Sequence, residues 1–166
     1  VFDDEVRFPD GSEGTYLRIT HPAADGQAVV VLPIREGQVA LVRTYRYPIG
    51  EWQWGLPRGF GQGGDVLKTA ETELRQELGV SARDWRRLGN VTPDSGMLAV
   101  NVAFFLAIVE DSELNPEDVA EVQEATWLST HTLLRKIATG DITDGFTLSA
   151  VALALTQGHL SLEKID

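Results

Sequence analysis

The sequence predicts a layered α/β or α+β sandwich, and three observations carry that reading. Short β-patterned runs are spread along the chain, only a few helical patterns interrupt them, and 166 residues suit one ordinary domain.

The first fifty residues read as β structure. Val6–Phe8 and Thr15–Thr20 flank the turn-rich Pro9-Asp10-Gly11-Ser12-Glu13-Gly14, which predicts an N-terminal antiparallel hairpin within residues 1–25. Ala28–Ile34 is a nearly continuous aliphatic run, Arg35-Glu36-Gly37-Gln38 supplies a turn, and Val39–Tyr47 alternates well enough to pair back antiparallel. From Pro48 to Gly64 the density of glycine, proline and tryptophan suits an irregular loop rather than a regular element.

A helix follows. Asp65 is placed to cap it, Leu67, Ala70, Leu74 and Leu78 form its apolar stripe, and Gly79 stops it. Trp85–Val91 and Asn101–Val109 read as strands, and the acidic run Glu110–Glu124, interrupted by Pro116, reads as a mobile loop. Ala125–Leu128 is a short strand, Thr130–Ala138 a helix, and Phe146–Leu155 a last, mostly buried helix. The uncharged stretch Gly145–Leu162 contains Thr147, Ser149, Thr156, Gln157 and His159, too polar for a spanning helix, so no membrane partner is expected.

Composition narrows the function. Fourteen basic against 25 acidic residues give a net charge of −11, a field that repels nucleic acid and anionic lipid. The absence of cysteine removes disulfides, thiolate zinc sites and a cysteine nucleophile, and fits a reducing, cytoplasmic compartment. His21, His131 and His159 are scattered without a zinc-binding spacing, the glycine stretch lacks a P-loop lysine, and no serine-hydrolase elbow is present. Metal-assisted phosphoryl chemistry, or no chemistry, remains.

On a helix Glu73 and Glu77 lie about 40° apart, beside the apolar stripe. Taken alone, such a pair is more often solvated surface charge. A hard divalent cation shared between them would offset their repulsion, and the bare backbone of Gly59-Phe60-Gly61-Gln62-Gly63-Gly64 can approach a phosphate or a metal.

Leu56-Pro57-Arg58-Gly59 through Glu73-Leu74-Arg75-Gln76-Glu77-Leu78-Gly79-Val80 resembles the box of the Nudix hydrolases. Gly59, Glu73, Leu74, Glu77, Gly79 and Val80 match in type, whereas the loop after Gly59 is one residue shorter than the pattern. Gly64, Thr72 and Gln76 replace a glutamate, an arginine and a glutamate. Val39–Pro48 and Gly140–Leu148 also look like segments flanking the box in ADP-ribose pyrophosphatase-type members, so the likeness covers most of the chain.

The resemblance implies a single Nudix domain over residues 1–166, an α/β/α sandwich with a mixed sheet whose N-terminal hairpin helps build a homodimer. It implies Mg²⁺, with Mn²⁺ as substitute, held by Glu73, Glu77, Glu121 and the Arg58 carbonyl, with Gln76 a weak further donor. Glu117, Asp118 and Glu124 are the rivals of Glu121 for the third carboxylate. The implied substrate is a small nucleoside diphosphate derivative, ADP-ribose or another nucleotide sugar. Arg46 and Arg58 would meet its phosphates, Trp52 or Trp54 would stack on its base, and Gly59 and the Ser95-Gly96-Met97 loop would line its site. The alternative is a module that binds a nucleotide without turning it over, motivated by Gly64, Thr72 and Gln76.

Overall fold

The computed structural model describes residues 1–20, 28–61, 64–111 and 113–161. Strands β1 (Phe2–Arg7) and β2 (Glu13–Arg18) form a separate antiparallel ribbon, in register from Phe2 opposite Arg18 to Arg7 opposite Glu13. The first strand begins earlier than the sequence pattern suggests, at Phe2, and ends at Arg7 because Phe8 belongs to the turn: its N–H donates to the Ser12 carbonyl at 2.8 Å. Past the ribbon, Ile19 forms an isolated parallel bridge with Leu98 and exchanges main-chain bonds with Met97 and Ala99. The expected hairpin residues 21–25 lie outside the described residues.

The main sheet is mixed. β3 (Ala28–Arg35) runs parallel to β8 (Val102–Val109), which pairs antiparallel with β7 (Ala82–Val91). β3 turns through Glu36 and Gly37, both at positive φ, into β4 (Gln38–Arg46). The hairpin expected here closes only two pairs, Ile34 with Val39 and Arg35 with Gln38. Beyond them β4 takes β5 (Glu51–Gly55) on one edge and β9 (Val122–Ser129) on the other, while the start of β3 takes β6 (Arg58–Phe60). The segment read as an irregular loop therefore contains two short strands, preceded by a 3₁₀ turn at Tyr47–Ile49.

Three helices complete a sandwich. α1 (Val66–Leu78) covers one face, and α2 (Thr130–Ala138) and α3 (Gly145–Thr156) the other. Strand alternation sends Val29, Val31, Ala40 and Val42 toward Ala70, Leu74 and Leu78 of α1. Val30, Leu32, Leu41 and Phe104 face Leu133 of α2 and Ala150 of α3. Burial on both faces explains why β3 reads as a continuous aliphatic run. Each fully buried Leu or Phe contributes about 1.5–3 kcal/mol relative to exposure.

Local chemistry sets the ends of α1 where the sequence places them. The Asp65 carboxylate accepts the Leu67 N–H at 2.9 Å, and Gly79 stops the helix in the left-handed region at φ 70°. Among the described residues, no helix is long and apolar enough to cross a membrane.

The acidic segment, expected to be a mobile loop, is docked. Asn115 N–H donates to the Leu78 carbonyl, and the Glu117 and Asp118 N–H groups donate to the Gln76 carbonyl, each at 2.9 Å. These bonds satisfy carbonyls that the end of α1 leaves unpaired, which charge density in the sequence does not reveal.

Candidate active site

α1 carries the two glutamates into different surroundings. Glu77 is buried, 6% exposed beside Leu74 and Leu78, while Glu73 is half-buried. The Arg58 N–H donates to Glu77 Oε1 at 3.2 Å, and Oε2 is buried with no hydrogen-bond partner. Burial pushes the Glu77 carboxyl up to about 8; the Arg58 N–H opposes this and the Glu73 charge adds to it. Burial also raises Glu73, helped by the charges of Glu121 and Asp118. A Cβ at residue 59 would overlap the Glu73 carboxyl, so any side chain at the box glycine would displace that carboxyl.

The end of β4 supplies the facing wall. Arg46 is half-buried, and burial followed by the neighbouring Arg58 charge lowers its pKa, opposed by Asp144, Glu77 and Glu121. Three buried side-chain atoms lack a hydrogen-bond partner among the described residues: Thr44 Oγ1, Arg46 Nε and Glu77 Oε2. Thr44 and Arg46 share a cavity wall with Glu121, whose charge acts on Arg46, Glu73 and Glu77, so the three atoms belong to one neighbourhood. A cluster of unsatisfied buried groups points to a missing polar or ionic partner.

The docked acidic segment delivers Glu121. Asp118 Oδ1 accepts the N–H groups of Ala120 at 3.1 Å and Glu121 at 3.2 Å, fixing the turn that precedes β9. Two of the rivals are engaged elsewhere: Glu117 pairs with Arg75 at 3.0 Å and Glu124 with Arg43 at 2.7 Å. Glu121 is exposed and borders a cavity of about 550 Å³ that also touches Arg46, Arg58 and Gly59. Much of the remaining lining is apolar, with Val30, Leu98, Val100 and Phe146 in its wall.

Other sequence-derived positions fall less centrally. Trp52 is exposed and meets Tyr45 edge-on at 5.5 Å, whereas Trp54 packs into the core shared with α2 and α3. Neither lines the cavity. Gly96 sits in a turn capped by Asp94 at 2.8 Å; Pro93 and Leu98 of the same loop line the cavity instead. Gln76 is exposed, and its main-chain carbonyl receives the acidic segment.

Among the described residues, no three acidic or histidine side chains close into a ready-made ion cage. The donor set nevertheless fits a hard divalent cation: two partly or fully desolvated carboxylates, one with an unpartnered oxygen, and a third carboxylate whose charge reaches both.

The family model for the NUDIX domain matches residues 25–145. The chain belongs to the NUDIX family. It is 27% identical over 169 aligned positions to an ADP-ribose pyrophosphatase of Mycobacterium tuberculosis (strain ATCC 25618 / H37Rv), an alignment covering 98% of this chain and 80% of the relative. A solved structure described as an ADP compounds hydrolase superposes with a TM-score of 0.77 at 19% identity, covering 94% of this chain and 86% of the other. That likeness supports the α/β/α fold with its mixed sheet and N-terminal hairpin.

Within this NUDIX chain the substituted box positions have structural correlates. Gly64 has φ 104°, a conformation strained for a glutamate, and the Thr72 hydroxyl donates to the Lys68 carbonyl at 2.9 Å. Sequence reasoning missed Thr44, Asp144, Phe146 and Thr147. Asp144 is a buried carboxylate that caps α3 and pairs with Arg58 at 2.8 Å. Its position before an apolar helical run is the signal that marks it as a cap.

Proposed function

We propose that the protein hydrolyses, with a divalent cation, the diphosphate of a nucleoside diphosphate joined to another moiety, with ADP-ribose or another nucleotide sugar as substrate. The observation that supports this reading is the set of unsatisfied Thr44, Arg46 and Glu77 atoms beside a cavity that combines Arg46, Arg58 and Glu121 with a largely apolar lining. A diphosphate attached to a nucleoside offers both the charge and the apolar surface that such a lining can meet.

In this reading Glu73, Glu77 and Glu121 hold Mg²⁺, with the Arg58 main chain adjoining Glu77. When bound, the cation neutralises phosphate oxygens and acidifies water. Glu121, the most solvent-accessible of the three, receives a proton from the attacking water in this reading. Arg46, half-buried and with a free Nε donor, binds and orients a phosphate oxygen. Gly59 admits the substrate to the Glu73 carboxyl, and Phe146 shields the cavity from water.

The same reading treats the chain as one Nudix domain in the cytosol, acting as a homodimer through its ribbon, where Phe2, Tyr16 and Leu17 are exposed. The test is release of phosphate monoesters from a panel of nucleotide sugars with Mg²⁺. Cleavage of at least one, abolished by chelation and restored by the cation, supports the enzyme; tight binding without cleavage across the panel supports the non-catalytic module that Gly64, Thr72 and Gln76 suggest.

A further inference from the structure

Two cavities meet at Arg58. The larger, of about 550 Å³, borders Gly59, Arg46 and Glu121; the smaller, of about 360 Å³, borders Val91, Thr92 and Ser149. Arg58, Pro93 and Phe146 belong to both walls.

The Arg58 side chain is held in place. Its Nη1 donates to Asp144 Oδ1 at 2.8 Å, and its guanidinium lies 4.7 Å from the centre of the Phe146 ring. Asp144 is itself fixed, because Oδ2 accepts both the N–H and the hydroxyl of buried Thr147, at 2.9 and 2.7 Å. The Thr147 hydroxyl oxygen also accepts the Leu56 N–H at 3.0 Å, so α3 grips the chain on both sides of Pro57. A long, otherwise flexible side chain is thereby made into a rigid wall.

We propose that the Arg58–Phe146 pair is a specificity-determining partition. It limits the size of the group carried beyond the diphosphate, admitting a pentose-sized moiety and refusing a second nucleoside. The inference rests on the proposed function of the larger cavity. Steric refusal fits the geometry because a second cavity lies beyond the wall and the Arg58 and Phe146 side chains, with Pro93, border both.

The experiment compares ADP-ribose with diadenosine diphosphate, which share the adenosine and the diphosphate and differ in the second half. Arg58→Ala alone would leave the Asp144 carboxylate buried and unpaired, so it is combined with Asp144→Asn. Phe146→Ala opens the same wall from its other side. The kcat/KM ratio of diadenosine diphosphate to ADP-ribose should rise at least tenfold in both variants and stay within twofold of wild type in Arg58→Lys, which keeps the bulk. A merely structural defect lowers both substrates together and leaves the ratio unchanged. Calorimetric binding of the two ligands in chelator reads the wall without turnover, and the affinity ratio should move in the same direction. If the wild-type protein cleaves neither these compounds nor any nucleotide sugar of the panel, the proposed function fails while the binding ratio still decides the partition. An unchanged ratio in both wall-opening variants overturns the partition.

Discussion

The Arg58 N–H donates to Glu77 Oε1 at 3.2 Å while the second oxygen of the same carboxyl has no partner. One main-chain donor does not compensate a carboxylate that is 6% exposed, so the cation-free protein keeps Glu77 protonated well above the ordinary value of 4.5.

This gives a pH dependence with a definite sign. Below pH 4.5 Glu77 is protonated in both folded and unfolded chains, and between 4.5 and about 8 only the unfolded chain releases the proton. The folded state is therefore progressively disfavoured across that window and no further above it, a loss on the order of a few kcal/mol. Denaturant titrations in chelator should show a steeper fall for wild type than for Glu77→Gln, in which only raised groups such as Glu73 remain, and the variant should be the more stable protein near pH 8. Turnover should fall in the same variant by at least a hundredfold, because a carboxylate ligand is removed. Equal slopes in the two proteins would contradict the buried, unpaired carboxyl.

The third carboxylate can be separated from its neighbours. Glu121→Gln should lower kcat at least tenfold with stability changed by less than about 1 kcal/mol, since the side chain is exposed. Glu117→Gln and Glu124→Gln break surface ion pairs with Arg75 and Arg43, each worth roughly 0–1 kcal/mol, and should leave kcat within about twofold. Steady-state kinetics on the three variants decides the assignment, and a larger loss in either ion-paired residue would move the role away from Glu121.

Gly59 and Glu73 cannot both keep their places if residue 59 gains a methyl group. Gly59→Ala should push the Glu73 carboxyl aside, weakening the apparent affinity for Mg²⁺, with stability changed by less than about 1 kcal/mol because the displaced group is the end of a flexible side chain. Activity titrated against the cation measures the first effect, and thermal unfolding the second.

Gly79 tests the link from helix end to acidic segment. Its φ of 70° disfavours any side chain, and a Cβ there would overlap the Asn115 carbonyl. Gly79→Ala should destabilise by more than the roughly 1 kcal/mol of a glycine cap and should raise amide exchange over residues 115–121. Unaltered exchange there would mean that the segment holds its place without the helix end.

The sequence made legible what depends on local pattern. Asp65 and Gly79 marked the ends of α1, and the glutamates appeared at a spacing that a helix brings together. Tertiary effects decided the rest. The i, i+4 geometry could not tell that Glu77 is buried while Glu73 is only half-buried, because that depends on how α1 rotates onto the sheet. Charge density suggested a mobile acidic run, whereas the unpaired carbonyls of Gln76 and Leu78 fasten it. Trp52 and Trp54 looked suited to stacking, yet strand alternation turns Trp54 into the core and leaves Trp52 on Tyr45. Arg58 was legible as a cation but not as half of a buried ion pair, since its partner lies 86 residues away.

The brief pairing of β3 with β4 has a mechanical consequence. The edges these strands would have offered one another are occupied by β6 and β5, which are joined only through buried Leu56 and Pro57. That connection acts as a wedge driven between the arms of a hairpin, and Gly59 rides on it. Glu121 and Arg46 lie with one arm, Arg58 and Gly59 with the other. The opening in which substrate would sit is thus a product of strand competition, and any change that let the two arms zip together would expel the wedge and erase the cleft.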